Sequence, residues 1–340
     1  MARLTHEELD ALLRDRPAIL APMEDVSDAV FRAICRRFGA KLCVTEFVNV
    51  EGLLRGCRIA KRKIDLAEDD HPTAIQIYGS DPKRLAEAAE IAAAASPAYL
   101  DVNCGCWVPK IAGRGAGAAW LRDPKAMVAM AKMIVDAVDL PVTIKTRIGW
   151  DRAPGGTSPS QEANMPIVDL APALEDVGVR AITIHCRTAK MGHSGAADWS
   201  WAARAREVVS CPMVVNGDVD SGEAAEKALA QTKCEAVMVG RRAIEHPWVF
   251  REIRSRLDKG IDHAAPTLAE RLDLCRLHLG ENVRQRGELH GVRVTRRHLS
   301  GYLRGMPGAA DLRRTLLFCD SYEGCLAILE GYEAAQVKAA

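Results

Sequence analysis

A chain of 340 residues, 48% hydrophobic and 27% charged, has room for one large α/β domain with a smaller companion, and this composition excludes a disordered or fibrous chain. The formal net charge of +1 excludes polyanion recognition by whole-molecule charge, so any such surface must be local. No apolar run is long enough to span a bilayer, and the opening MARLTHEELDALLRDRP lacks the apolar core of a signal peptide, which predicts a cytoplasmic protein without membrane contact.

Residues 1–17 read as a helical extension. From residue 18 onward, short β-branched or apolar runs recur with helical patterns between them: AILAPM at 18–23, KLCVTEF at 41–47, TAIQIYG at 73–79, YLDVN at 99–103, PVTIKT at 141–146, AITIH at 181–185, PMVVN at 212–216 and EAVMVG at 235–240. Asp81-Pro82 and Asp123-Pro124 each set an N-cap residue before a proline at the first helical position, and Ser221 with Glu223 and Glu226 marks a third helix start. Eight strand–helix units over residues 18–256 predict a closed parallel (β/α)8 TIM barrel. An open doubly wound sheet is the alternative, because periodicity does not reveal closure. Beyond Arg256 a linker runs into Thr267 and Glu270 at capping-box spacing, and residues 265–340 carry helical periodicity throughout, which predicts a small C-terminal all-helical domain.

In a parallel barrel, functional residues gather where the strands end. Polar residues fall there repeatedly: Met23-Glu24-Asp25, Glu46, Gln76, Asn103, Lys145 with Arg147, His185 with Arg187, Asn216-Gly217-Asp218 and Gly240-Arg241-Arg242. Gly217 and Gly240 stand after the seventh and eighth strands, where barrels build phosphate sites, and Arg241 adds a bidentate cation; each glycine alone could equally serve a tight turn. Lys145 inside an apolar strand should face the mouth and an anionic partner, with a salt bridge to Asp101 or Glu46 as the bland alternative. His185 could be a hydrogen-bonded core histidine.

Eleven cysteines, an odd number in a reducing compartment, read as thiols. The stretch DVNCGCWVPK sets Cys104 and Cys106 two residues apart, and no second ligand pair stands at zinc spacing, so no metal is expected. A thiol of ordinary acidity stays protonated at neutral pH and suits a general acid, whereas a nucleophile would need a stabilised thiolate. The Gly-flanked loop and the GRGAG run at 113–117 predict a segment able to close over a ligand.

APMEDVSDAVFR, QIYGSDP, DVNCGCWVPKIAGRGAGAAWLRDP, TIKTRIGWD, TIHCRTAKMGHSGAADW, VVNGDV and VMVGRRAIEHPWVF resemble, in order and spacing, the motifs of the tRNA-dihydrouridine synthases over about residues 18–250. The tail YLRGMPGAADLRR is similar to that family's C-terminal RNA-binding helical domain, and TEFVNVEGLLRG with the NCGC form looks closest to its bacterial branches. The resemblance implies an FMN-dependent enzyme that uses NADPH to reduce the C5–C6 double bond of selected uridines in tRNA. It implies that Pro22, Met23 and Glu24 lie against the flavin ring through their backbone, that Gln76 and Lys145 hydrogen-bond it with His185 alongside, and that Asn216, Gly217, Asp218, Gly240 and Arg241 hold the ribityl phosphate. Cys106 matches the catalytic cysteine, giving a proton to C5 as hydride passes from flavin N5 to C6; Cys104 occupies a variable position.

By the same resemblance, Asn103 contacts the substrate, with Lys110, Arg147 and Arg187 as further uridine or phosphate contacts. A stacked uridine is unreachable and must be extruded, so a local basic cluster, Arg293, Arg296, Arg297, His298, Arg304, Arg313 and Arg314, is expected to dock the RNA. The chain is expected to be a monomer. It departs from the family at Trp107, where proline is usual, and at Cys186, where glycine is common. Tryptophan there could stack on a base, pack against the barrel mouth or alter substrate choice. A small-molecule ene-reductase or dihydroorotate dehydrogenase-like barrel, or a flavin-bearing RNA-binding protein without turnover, are the rival readings.

Overall fold

The computed structural model describes residues 3–151 and 166–339. Its strands are β1 (Ala18–Leu20), β2 (Leu42–Val44), β3 (Val48–Asn49), β4 (Thr73–Tyr78), β5 (Leu100–Cys104), β6 (Val142–Arg147), β7 (Ala181–His185), β8 (Met213–Asn216) and β9 (Ala236–Val239). All pair in parallel; β1 pairs with both β2 and β9, and β2 with β4, so the sheet closes on itself. The two-residue β3 pairs only with β4, which leaves eight staves: a (β/α)8 barrel and not an open doubly wound sheet.

Both faces of these strands are buried, which is why they read as apolar runs. Outward-facing Ile75, Ile77, Val102, Ile144, Ile182, Ile184, Val215 and Val237 form one core with the surrounding helices. Inward, residues two apart share a face, and the interior changes character along the strands. Ala74, Val214 and Ala236 lie in an apolar plug with Leu9 and Leu13 of the helix His6–Arg14, which stops the barrel's N-terminal end. Gln76, Asn103, Lys145, His185 and Asn216 follow on the same inward faces toward the C-terminal ends, where Asn103 stands beside Lys145 and His185 beside Asn216.

The helix starts fall where their capping residues predict. Asp81, Asp123 and Ser221 each accept a backbone N–H from the first turn of their helix, and Thr267 and Glu270 form a reciprocal capping box. Four helices, Leu268–Arg286, Glu288–Tyr302, Ala309–Phe318 and Tyr322–Ala339, form the C-terminal unit. Its core, with Leu272, Leu279, Leu299 and Tyr302, is continuous with Val30, Ile34 and Trp248 of the barrel. Gly301 permits the contact, since a Cβ there would lie 2.3 Å from the Cα of Glu245. Arg286–Asp28 at 2.5 Å and Arg251–Glu270 at 2.8 Å tie the same interface. Among the described residues, no helix is long and apolar enough to cross a membrane.

Candidate active site

A cavity of 680 Å³ opens at the C-terminal ends of the strands, a volume suited to a cofactor with part of a substrate. Pro22, Met23, Glu24, Asn103, Cys106, Trp107, Lys145, Arg147, His185, Asn216, Gly217, Asp218, Gly240 and Arg241 all line it. Of the residues assigned to this mouth, Gln76, Arg187 and Lys110 do not. Gln76 is fully buried under Asn103, Arg187 is buried behind Asp218, and Lys110 is exposed on the short helix Pro109–Ala112.

The Lys145 ammonium has three N–H groups and meets one acceptor, Asn216 Oδ1, at 3.1 Å. Neither Asp101 nor Glu46 forms an ion pair with it among the described residues, so the bland alternative fails. Burial, reinforced by the neighbouring Arg147 charge, pushes its pKa down to about 8. Burial and the same cations push His185 well below the usual histidine range, so its imidazole is neutral; Nε2 faces the Arg187 guanidinium at 3.3 Å and acts as acceptor. Gly217 has φ +109°, and a Cβ there would lie 3.0 Å from His185 Cδ2, so backbone alone can pass beside the imidazole. Gly240 is different: a Cβ there would only touch Ala21 at 3.7 Å and Met23 Sδ at 3.9 Å. The missing side chain leaves room on the cavity side.

Of the four acids that line the mouth, Asp218, Glu24 and Glu245 are already paired, and Asp220 is exposed. Asp218 accepts two hydrogen bonds from Arg187 at 2.6 and 2.7 Å and one from the Ala197 N–H at 2.7 Å. Glu24 pairs with Lys63 at 2.6 Å, and Glu245 with Arg304 at 2.5 Å. Arg241 stays 58% exposed, with Asp218 only at 3.8 Å. An undersatisfied ammonium and an open guanidinium, with three of the four lining acids neutralised, form a donor set that fits a planar ligand carrying negative charge on its ring and at a phosphate. The backbone of Met23 is less free, because its N–H donates to Ser27 Oγ at 2.7 Å.

Cys106 is half-buried on this wall, and burial raises its thiol above the usual cysteine range, which keeps it protonated. Cys104 and Cys186 are fully buried, their thiols also raised by burial, and neither lines the cavity. Asn103 Oδ1 accepts from the backbone N–H of Gly105 and Cys106 at 3.1 and 2.9 Å, fixing the start of the cysteine loop. Arg147 extends from β6 to the carbonyls of Gly105 at 2.8 Å and of Thr188 and Gly192 at 2.9 Å. It joins two loops, a role that strand-end position alone did not reveal. Trp107, 37% exposed, lies over Gly192, where a Cβ would come within 3.1 Å of its ring, and meets His193 edge-on at 5.9 Å.

The predicted RNA-docking arginines are mostly engaged within the protein. Arg293 and Arg296 share Asp320, Arg297 donates to the Asp25 carbonyl at 3.0 Å, Arg304 pairs with Glu245 and Arg314 with Asp311. A second basic surface escaped sequence reasoning. The helix Arg58–Ile64, RIAKRKI, presents Arg58, Lys61 and Arg62 exposed, with no ion pair among the described residues. They line a cleft of 860 Å³ with Arg32, Arg286 and His290, between barrel and helical unit. Four cations in seven residues without one acid was a readable signal.

Barrels that gather such groups at the strands' C-terminal ends are enzymes, and the site places this protein in that class. Comparison with known families narrows the class: the model described as dihydrouridine synthase (Dus) matches residues 19–339. The chain belongs to the dihydrouridine synthase family. It is similar to tRNA-dihydrouridine synthase B of Pseudomonas aeruginosa, 38% identical over 295 residues that cover 87% of this chain and 86% of that protein. It is similar also to the probable tRNA-dihydrouridine synthase 1 of Synechocystis sp., 33% identical over 317 residues, covering 93% and 86%. Among solved structures, a 2-naphthoyl-CoA reductase complex with 2-naphthoyl-CoA matches with TM-score 0.52 at 12% identity, over 72% of this chain and 50% of that one, a likeness of fold alone.

Proposed function

We propose that this protein reduces the C5–C6 double bond of a uridine in tRNA to dihydrouridine, with FMN in the barrel mouth and NADPH as the source of electrons. The observation that carries the reading is the half-buried, protonated Cys106 thiol on the same cavity wall as the undersatisfied Lys145 ammonium. Family membership and the names of the relatives support the substrate.

Bound FMN would supply a hydride to C6 of the uracil. The remaining work falls to the chain. Lys145 would pair with the electron-rich edge of the ring, His185 would stay neutral beside it, and Gly217, Gly240 and Arg241 would receive the phosphate. Asp218 would act through Arg187 rather than on the phosphate, because a carboxylate repels it. Cys106 would give its proton to C5 and be left as a thiolate, so that hydride and proton together complete a two-electron, two-proton reduction; a raised thiol pKa keeps that proton available at neutral pH. Extrusion of the uridine costs a few kcal/mol of stacking, offset by contacts between folded RNA and the basic cleft beside the mouth. That cleft favours a polyanionic substrate over the small molecules of an ene-reductase.

The test is Cys106→Ala in the full-length protein. The variant should purify yellow, release FMN and bleach with NADPH like the parent, while dihydrouridine formation on unmodified tRNA falls by roughly 100-fold or more, as for loss of a general acid. Formation at the parent rate would remove Cys106 from the mechanism.

A further inference from the structure

Beneath the cavity, three buried side chains form a chain of hydrogen bonds with one permitted direction. Gln76 Nε2 donates to Asp101 Oδ2 at 2.5 Å, Asn103 Nδ2 donates to Gln76 Oε1 at 2.9 Å, and Asn103 Oδ1 accepts the Gly105 and Cys106 N–H groups. Gln76, Asp101 and Asn103 are 0%, 3% and 6% exposed. An amide has a donor end and an acceptor end, so two linked amides could run in either sense. Here both termini decide. The backbone N–H groups at one end can only donate, and an ionised carboxylate at the other can only accept. Thr143 Oγ1 fills the other oxygen of Asp101.

We propose that Asp101 is a positioning residue for Cys106: it orients Gln76, which orients Asn103, which holds the amides at the root of the loop carrying the thiol. Burial raises the Asp101 carboxyl to about 6, so at neutral pH it is still an anion. The arrangement explains a buried carboxylate that makes no ion pair among the described residues and does not reach the cavity. It also explains why Gln76 turns its amide away from the mouth. A loop fixed this way keeps the donor at one distance from the base, and misplacement by about 1 Å can cost about 100-fold in rate. The proposal rests on Cys106 as proton donor only for its kinetic consequence; the hydrogen-bond consequence stands alone.

The experiment compares Asp101→Leu with Asp101→Asn in the full-length protein, by peptide-resolved hydrogen exchange and by turnover on tRNA. Leucine removes the acceptor. The amides of Gly105 and Cys106 should then exchange about fivefold or more faster, as expected when a net hydrogen bond of ~1 kcal/mol or more disappears, while β4 and β6 stay protected. The rate constant kcat should fall with KM for tRNA and flavin content unchanged. Asparagine should restore both readings, because its carbonyl still accepts from Gln76 while its NH2 donates to the Thr143 hydroxyl, which can reverse its role. If Asp101→Leu loses protection across the whole barrel, Gln76→Leu breaks the same chain at its centre and should free the same two amides. Unchanged exchange at Gly105 and Cys106 in whichever variant folds, or an equal loss in Asp101→Asn and Asp101→Leu, would overturn the proposal. If tRNA is not turned over by the parent, the exchange result still decides on the positioning chain and the proposed function fails separately.

Discussion

Lys145 shows how one side chain can set the conditions under which a site is filled. Its pKa stands near 8 because burial and Arg147 oppose the charge. An anionic ligand against it returns the pKa toward the ordinary lysine value, so above about pH 8 binding must take up a proton. Affinity for the proposed FMN should therefore be flat near neutrality and fall as pH rises past 8, which a fluorescence titration of flavin-stripped protein would show. The folded apoprotein has the opposite dependence. Its depressed lysine binds fewer protons than the unfolded chain, so this contribution to stability is lost as pH falls through about 8 and regained above it. Lys145→Met should bind FMN more weakly and with no pH dependence in this range; a persistent alkaline loss of affinity in that variant would assign the effect to another group. The residue type and its place in an apolar strand were enough to predict an inward cation seeking an anion. The contact with Asn216, in place of the alternative carboxylate partner, was not predictable, since it joins residues 71 positions apart.

At the scale of elements, the mouth is shaped by two loops that Arg147 joins. The guanidinium serves three carbonyls, and its removal leaves those of the buried Thr188 and Gly192 and the half-buried Gly105 without that donor. Arg147→Met should cost about 3 kcal/mol or more in thermal or chemical unfolding, at 1–3 kcal/mol per orphaned buried group. It should also speed proteolysis within the loop that follows β5. Arg147→Lys should restore little, because a point donor cannot reach three carbonyls set apart in a plane. An unfolding midpoint equal to the parent's in Arg147→Met would show the loops held by packing alone. The strands themselves were legible because burial on both faces writes them as unbroken apolar runs, and the helix starts because Asp81, Asp123, Ser221 and Thr267 each meet a local need of the first turn. Closure was legible only through the count of eight strand–helix units, not in any local pattern. It depends on Ala18–Leu20 pairing with residues 237–239 at the far end of the barrel sequence, a register no local pattern encodes. The two residues of β3 carry too short a signal to separate from the loop around them.

For the whole molecule, near-zero net charge conceals two basic surfaces with different physics. In the helical unit, Arg293 and Arg296 surround Asp320, and a cation already paired releases fewer counterions when a phosphate arrives. On the barrel, Arg58, Lys61 and Arg62 have no such partner and face the cleft that Arg286 and His290 close from the helical side. Lys63, next in line, links this helix to Glu24 at the cavity rim, so the cleft adjoins the mouth. Replacing Arg58, Lys61 and Arg62 together by glutamine should weaken tRNA binding and flatten the logarithmic salt dependence by roughly two to three units, near 0.7–0.9 for each phosphate that the protein no longer neutralises. FMN binding and NADPH bleaching should be unaffected. Replacing Arg293 and Arg296 by glutamine should change the salt slope by less than one unit and instead lower the stability of the helical unit, because Asp320 loses both partners. Filter binding of unmodified tRNA across a salt series separates the two. A slope unchanged in the triple variant but reduced in the Arg293 and Arg296 pair would move the docking surface from the barrel helix to the helical unit.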